Sequence, residues 1–146
     1  MNLQELLQRG MIERVQSSKE EVEEILNVAR RDLAESKEAF IHLSGDWAFN
    51  IAYSAMLQAA RALMLMRGFR SKGAGSHFSV IEFIKSEYGT QIPAPSLDAF
   101  DKGRRKRNRA TYEHTGTITA SEAQNMVIRA DEFVEAIGKI IQPPIP

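Results

Sequence analysis

Cysteine is absent from the 146 residues. That removes disulfides, thiolate metal sites and cysteine nucleophiles together. With no disulfide required, a reducing compartment is allowed, and a cytoplasmic location is expected. An excess of charge is also missing: 19 Lys and Arg balance 19 Asp and Glu. A basic field over the whole molecule is therefore excluded, and any electrostatic site must come from local clustering. Long apolar runs are missing too. The strongest, from Ala59 to Met66, is interrupted by Arg61 and closed by Arg67, whereas a membrane span needs about 18–20 apolar residues. Acidic residues from Glu5 onward leave the N-terminus without the uninterrupted apolar core of a secretory signal. No membrane partner is expected. Repeats and low-complexity tracts are absent as well.

What remains is globular usage, 43% hydrophobic and 26% charged. The length suits one domain spanning 1–146, with a core over 18–141, an extension over 1–17 and a tail over 142–146. Residues 2–13 read as a short amphipathic segment. Ser17 with Glu20, or Ser18 with Glu21, forms a capping box at the start of a long helix. Its apolar stripe runs through Val22, Ile25, Leu26, Ala29, Leu33 and Phe40. Gly45 breaks this helix, and Asp46 is the expected cap of the next. Trp47 to Arg67 has few polar positions and many alanines, the pattern of a central helix packed on more than one side. Trp47, Phe49, Tyr53, Met56, Met64 and Met66 read as core or dimer contact. Gly68 ends the helix and 69–76 reads as loop. Further helices are expected over 76–88, from a cap at Ser96, and from Thr119, which stands three before Glu122. No stretch alternates with period two, so no sheet is predicted. The expectation is an all-α, four-to-five-helix up-and-down bundle.

The chemically informative segment is GRRKRNRATYEH, residues 103–114, in which five of the seven residues from 103 to 109 are basic. Such a cluster can neutralise a phosphodiester backbone, although a basic run is commonly just a solvated helix face. If the segment is helical, the seven residues from Arg107 to His114 turn the chain by about 700°, within about 20° of one face. Arg104 and Thr111 share that stripe. The five from Arg109 to His114 leave the two about 140° apart, which makes Arg107 the better partner unless the helix ends near Tyr112. Arg forks onto phosphate oxygens, and His exchanges protons near neutrality. Together they form a minimal kit for cleaving RNA without metal. A single His does not readily serve as both acid and base, but two copies across a dimer axis can, as can His with a hydroxyl or water. His42 and His77 fall at loop edges. With no paired His/carboxylate spacing, no metal or other cofactor is expected. The glycine-rich GFRSKGAG, residues 68–75, lacks the Gly-Lys-Ser/Thr ending of a phosphate-binding loop and follows a helix, not a strand.

Two stretches resemble the HEPN domain family. Residues 46–84 are similar to its second helix and the start of its third, with a tyrosine-centred small-residue face, Ala59-Ala60-Arg61-Ala62-Leu63 and a glycine stop. Arg107-Asn108…His114 is similar to its Arg-polar…His motif, with six intervening residues; Arg109…His114 fits with four. Helix order and length extend the resemblance over roughly 18–141. The resemblance implies a dimerising helical bundle with two motifs facing one cleft. It implies either a metal-independent endoribonuclease, of the toxin type paired with a minimal nucleotidyltransferase antitoxin, or a non-catalytic protein that binds nucleotide or such a nucleotidyltransferase. On the nuclease reading Arg107 holds the scissile phosphate, Asn108 orients it or the helix end, and His114 transfers protons. Arg104, Arg105, Lys106 and Arg109 would grip the flanking RNA backbone, with Thr111 and Tyr112 in support. Some toxin members carry a modifiable tyrosine two residues after the His. Here that position is Gly116, and Tyr112 precedes the His.

Overall fold

Side-chain caps set where several of the helices begin. The computed structural model describes residues 1–73, 76–108 and 118–143. The chain folds as α1 (Leu3–Gln8), β1 (Ile12–Arg14), α2 (Lys19–His42), α3 (Gly45–Met66), β2 (Phe69–Ser71), α4 (Ser76–Tyr88), α5 (Ala94–Asn108) and α6 (Ala120–Ile141). The Ser18 hydroxyl accepts from the Glu21 N–H and starts α2. Ser17 is left to donate to the Leu65 carbonyl at 2.9 Å, tying the start of α2 to the end of α3. The capping box at α6 is complete: the Glu122 N–H reaches Thr119 Oγ1, and the Glu122 carboxylate accepts from the Thr119 N–H. Each cap satisfies backbone donors that have no partner within the helix.

Two expected caps are corrected. Ser44, not Asp46, caps α3 by accepting from the Trp47 N–H. Asp46 lies in the first turn, where Oδ1 accepts from the Ile118 N–H at 3.3 Å and tethers the approach to α6. Nor does Ser96 begin α5. The helix starts just after Pro93, and the Ser96 hydroxyl, now buried, donates to Glu132 Oε2 on α6 at 2.8 Å. In both cases a capping residue type carries out a tertiary contact that a local pattern does not encode.

The architecture is an all-α bundle of five substantial helices, α2 to α6, with the short α1 on its flank. α3 is the central element: it packs broadly along α2 and α6 and also meets α4 and α5. Its alanines at 48, 52, 55, 59, 60 and 62 are buried, which lets neighbours approach on several sides. Tyr53, Met56, Leu63 and Met64 fill the core beside Phe83, Phe100 and Phe133. Trp47 and Met66, read as core or dimer contact, are exposed. Among the described residues no helix is long and apolar enough to cross a membrane.

The expectation of no sheet is also corrected. β1 pairs antiparallel with β2, Ile12 opposite Ser71, Glu13 opposite Arg70 and Arg14 opposite Phe69. The strands have three residues each, too few for alternation to be visible as a pattern. Gly68, at φ +85°, turns the chain out of α3 into β2. The ribbon, with an ion pair between Glu13 and Arg70, fastens the N-terminal extension to the bundle.

α5 is held by one aromatic anchor. Phe100 is fully buried, its ring centroid 4.8 Å from Phe133 and 5.8 Å from Tyr53. Phe100→Ala is expected to cost about 3–5 kcal/mol of stability, as for other buried phenylalanines. Urea unfolding at neutral pH measures this directly.

Candidate nucleic-acid interface

The basic run does not present one uniform face. Gly103 is buried where α5 meets α3 and α6; a Cβ there would lie 2.6 Å from Met126 Cε and 3.1 Å from Tyr53 Cδ2. That close approach brings Arg104 and Arg107, one helical turn apart, over α3 and α4. The Arg107 guanidinium carbon sits 5.7 Å from the Tyr53 ring centroid, and that of Arg104 sits 5.8 Å from the centroid of Phe78. Arg105 is exposed. Lys106 turns to α6 and pairs with Glu122.

Tyr53 joins the elements of the site. Its ring is fully buried, and its hydroxyl lies 3.3 Å from His77 Nδ1 in the first turn of α4. Burial pushes the phenol from its ordinary 10.0 up to about 12, against the opposing pull of Arg107, Arg104 and Arg61. The hydroxyl therefore keeps its proton at any physiological pH. His77 is shifted the other way: burial, then the positive fields of Arg61, Arg107 and Arg104, lower its pKa below 6.5 and hold the imidazole neutral. Burial also lowers Arg61, which lies two turns beyond Tyr53 on α3.

The three guanidinium groups share one property. Among the described residues none of Arg61, Arg104 and Arg107 pairs with a carboxylate, and Nε of both Arg104 and Arg107 is buried without a hydrogen-bond partner. Several other cations are matched, Lys85 with Asp101, Lys102 with Asp98, Arg67 with Glu87 and Arg129 with Glu132; what sets Arg104 and Arg107 apart is that an unpartnered nitrogen of each is buried. The cavity of about 380 Å³ between α5 and α6 is among these matched regions, being lined by Lys102, Lys106, Glu122 and Arg129. Withdrawing cations from water without a counter-charge is unfavourable. An arrangement that does so in a chain of zero net charge is suited to receiving an anion.

Of the residues read from sequence, the structure thus brings Arg104 and Arg107 together, leaves Arg105 in solvent and commits Lys106 to an ion pair on another face. Asn108 is the last residue of α5. Arg109, Thr111, Tyr112 and His114 lie outside the described residues. His77 sits at the N-terminal edge of α4, as expected, but sequence reasoning missed its bond to Tyr53; His42, exposed at the end of α2, lies 3.5 Å from Glu38. Tyr53 and His77, 24 residues apart in sequence, make no local motif. Arg61 did leave a signal, as a lone charge in the apolar stretch from Ala59 to Met66.

The shift of His77 has a consequence for stability. Its folded pKa is below its unfolded value, so the unfolded chain binds the proton more readily. Stability from this residue is present above the unfolded pKa of about 6.5 and lost as pH falls through the lower, folded value. Urea midpoints at pH 7.5 and 5.5 should therefore differ less for His77→Gln than for wild type.

Two comparisons with known proteins bear on this arrangement. Among curated proteins nothing matches the chain. The family model for the HEPN domain matches residues 16–141, which takes in α2 to α6 and every residue of the arginine cluster. On that match, covering most of its length, the chain belongs to the HEPN domain family.

Proposed function

We propose that this protein is a metal-independent endoribonuclease, the toxin-like member of a HEPN and nucleotidyltransferase pair. The observation that carries the reading is the set of unmatched arginines, Arg61, Arg104 and Arg107, around Tyr53 and His77. RNA presents a regular series of phosphodiester anions, and Arg matches their oxygens with a planar fork. Arg107 holds the scissile phosphate, Arg104 supports it, and Asn108 orients the phosphate or the helix end. His114, seven positions beyond Arg107, transfers protons. The chemistry is an internal displacement. A base takes the ribose 2′-OH proton, the 2′-oxygen attacks phosphorus, the bond to the 5′-oxygen breaks, and an acid protonates that leaving oxygen. The products are a 2′,3′-cyclic phosphate and a free 5′-hydroxyl.

The working form on this reading is a homodimer that supplies two His114 side chains to one cleft. It is supported by exposed apolar side chains at Ile41, Leu43 and Trp47, where α2 turns into α3. The nucleotidyltransferase would act as antitoxin, and the cytoplasm, where RNA is the substrate, is the expected setting.

RNA cleavage by purified protein in EDTA tests the activity. Wild type should cut, and a 2′-deoxy substitution at the cut site should block it. His114→Ala should lose about 10²- to 10⁴-fold in rate, and Arg107→Lys should also be poor, because an ammonium lacks the fork. Cleavage by His114→Ala at the wild-type rate would falsify the nuclease reading. Light scattering should give about twice the 16.4 kDa of one chain; a monomer mass would remove the two-histidine cleft.

A further inference from the structure

The Tyr53–His77 pair is not used by the Arg107–His114 chemistry, yet it lies within the same cationic cluster. Tyr53 is fully buried, so its hydroxyl proton needs an acceptor, and the one hydrogen bond of that hydroxyl among the described residues is to His77 Nδ1, at 3.3 Å. A buried phenol left without an acceptor incurs the uncompensated desolvation cost of its donor, about 1–3 kcal/mol. The favourable arrangement therefore has Tyr53 donating and Nδ1 accepting. In a neutral imidazole the proton is then on Nε2, at the ring edge away from the phenol. Nε2 has no partner among the described residues, and His77 is only partly buried.

The surroundings say what this N–H can meet. Arg107 lies over the Tyr53 ring, Arg104 over Phe78, the neighbour of His77, and Arg61 comes from the α3 helix that carries Tyr53. Nε of both Arg104 and Arg107 is unsatisfied. The nearest acid on α5, Asp101, is held by Lys85 at 3.0 Å. The positive fields of Arg61, Arg107 and Arg104 all reach His77, and the other orphaned buried polar atom among the described residues, Asn50 Oδ1 on α3, is an acceptor.

We propose that His77 Nε2–H, its tautomer set by the Tyr53 hydroxyl, completes an oxyanion seat with Arg61, Arg104 and Arg107 that takes a phosphodiester oxygen of RNA. The proposal rests on the nuclease reading for its ligand, and it assigns His77 a donor role, not that of a base. Tyr53 is a positioning residue, acting through the imidazole. A neutral donor among three cations adds direction without adding a fourth repelling charge.

The experiment measures binding of a fully 2′-O-methyl RNA oligonucleotide, which cannot be cut through the 2′-oxygen, and cleavage of the unmodified sequence in EDTA. Wild type, His77→Ala, His77→Gln and Tyr53→Phe are compared, with ¹⁵N NMR of the His77 ring on wild type and Tyr53→Phe. Loss of a hydrogen bond to a charged group should weaken oligonucleotide binding by about 10- to 100-fold in His77→Ala. His77→Gln, which keeps an N–H near the Nε2 position, should retain most of it. Wild-type NMR should show the Nε2–H tautomer, and Tyr53→Phe a mixture. The seat is overturned if His77→Ala binds and cuts as wild type does; the nuclease reading then stands alone. If wild type binds without cutting and His77→Ala weakens binding, the seat stands and the nuclease reading falls. Normal binding with lost cleavage in both His77 variants overturns the donor role in favour of proton transfer. Absence of RNA binding by wild type overturns both. Should His77→Ala fail to fold, the ring tautomer and the Gln variant decide: an Nδ1–H tautomer in wild type, or a Gln variant that has lost binding while folded, refutes the proposal.

Discussion

Burial of the Tyr53 side chain organises both the core and the site. The ring packs against Phe100, which anchors α5, and leaves room for α5 only because residue 103 has no side chain. Its hydroxyl reaches α4 through His77, and its face receives Arg107. One residue of the central helix therefore fixes the relative positions of three helices and orients a histidine and an arginine toward the same region. Apolar burial drives the packing, while the one polar atom that must be satisfied selects the histidine's orientation.

This coupling makes the electrostatics specific. The charges of the basic run are divided by helix geometry: Lys106 is neutralised by Glu122, Arg105 remains hydrated, and Arg104 and Arg107 are partly withdrawn from water without counter-ions. A composition count treats these four alike. Their desolvation differs, and desolvation determines which of them gains from an arriving anion. Burial, and after it the same field that favours an anion, lowers the His77 pKa, so the site combines permanent cations with an uncharged donor.

The helical fold was legible because its signals are local. Capping residues at Ser18 and Thr119, the apolar stripe of α2 and the alanine-rich α3 each depend on residues within one or two turns. Asp46 and Ser96 were misread for the opposite reason: capping residue types can also bond distant partners, as Asp46 does with Ile118 and Ser96 with Glu132. The β1–β2 ribbon joins segments more than fifty residues apart and is too short for periodicity to register. In the site, the clustering of Arg104 and Arg107 follows from their three-residue spacing. The pairing of His77 with Tyr53 was invisible, because only the packing of α4 on α3 brings the two together.

Gly103 has a consequence for how variation in this chain should be interpreted. A helix-interior glycine is ordinarily a site where alanine improves the helix. Here a methyl group would press on the Tyr53 ring and the end of Met126. Met126 can yield, being flexible at that end, whereas the ring is held between Phe100 and His77. A substitution at 103 would therefore be felt first as a displacement of α5, with its arginines carried along, so that a nearly normal melting temperature could accompany a misaligned site. Position 103 contributes no functional group, yet it sets the spacing between the cations and the hydroxyl that organises them.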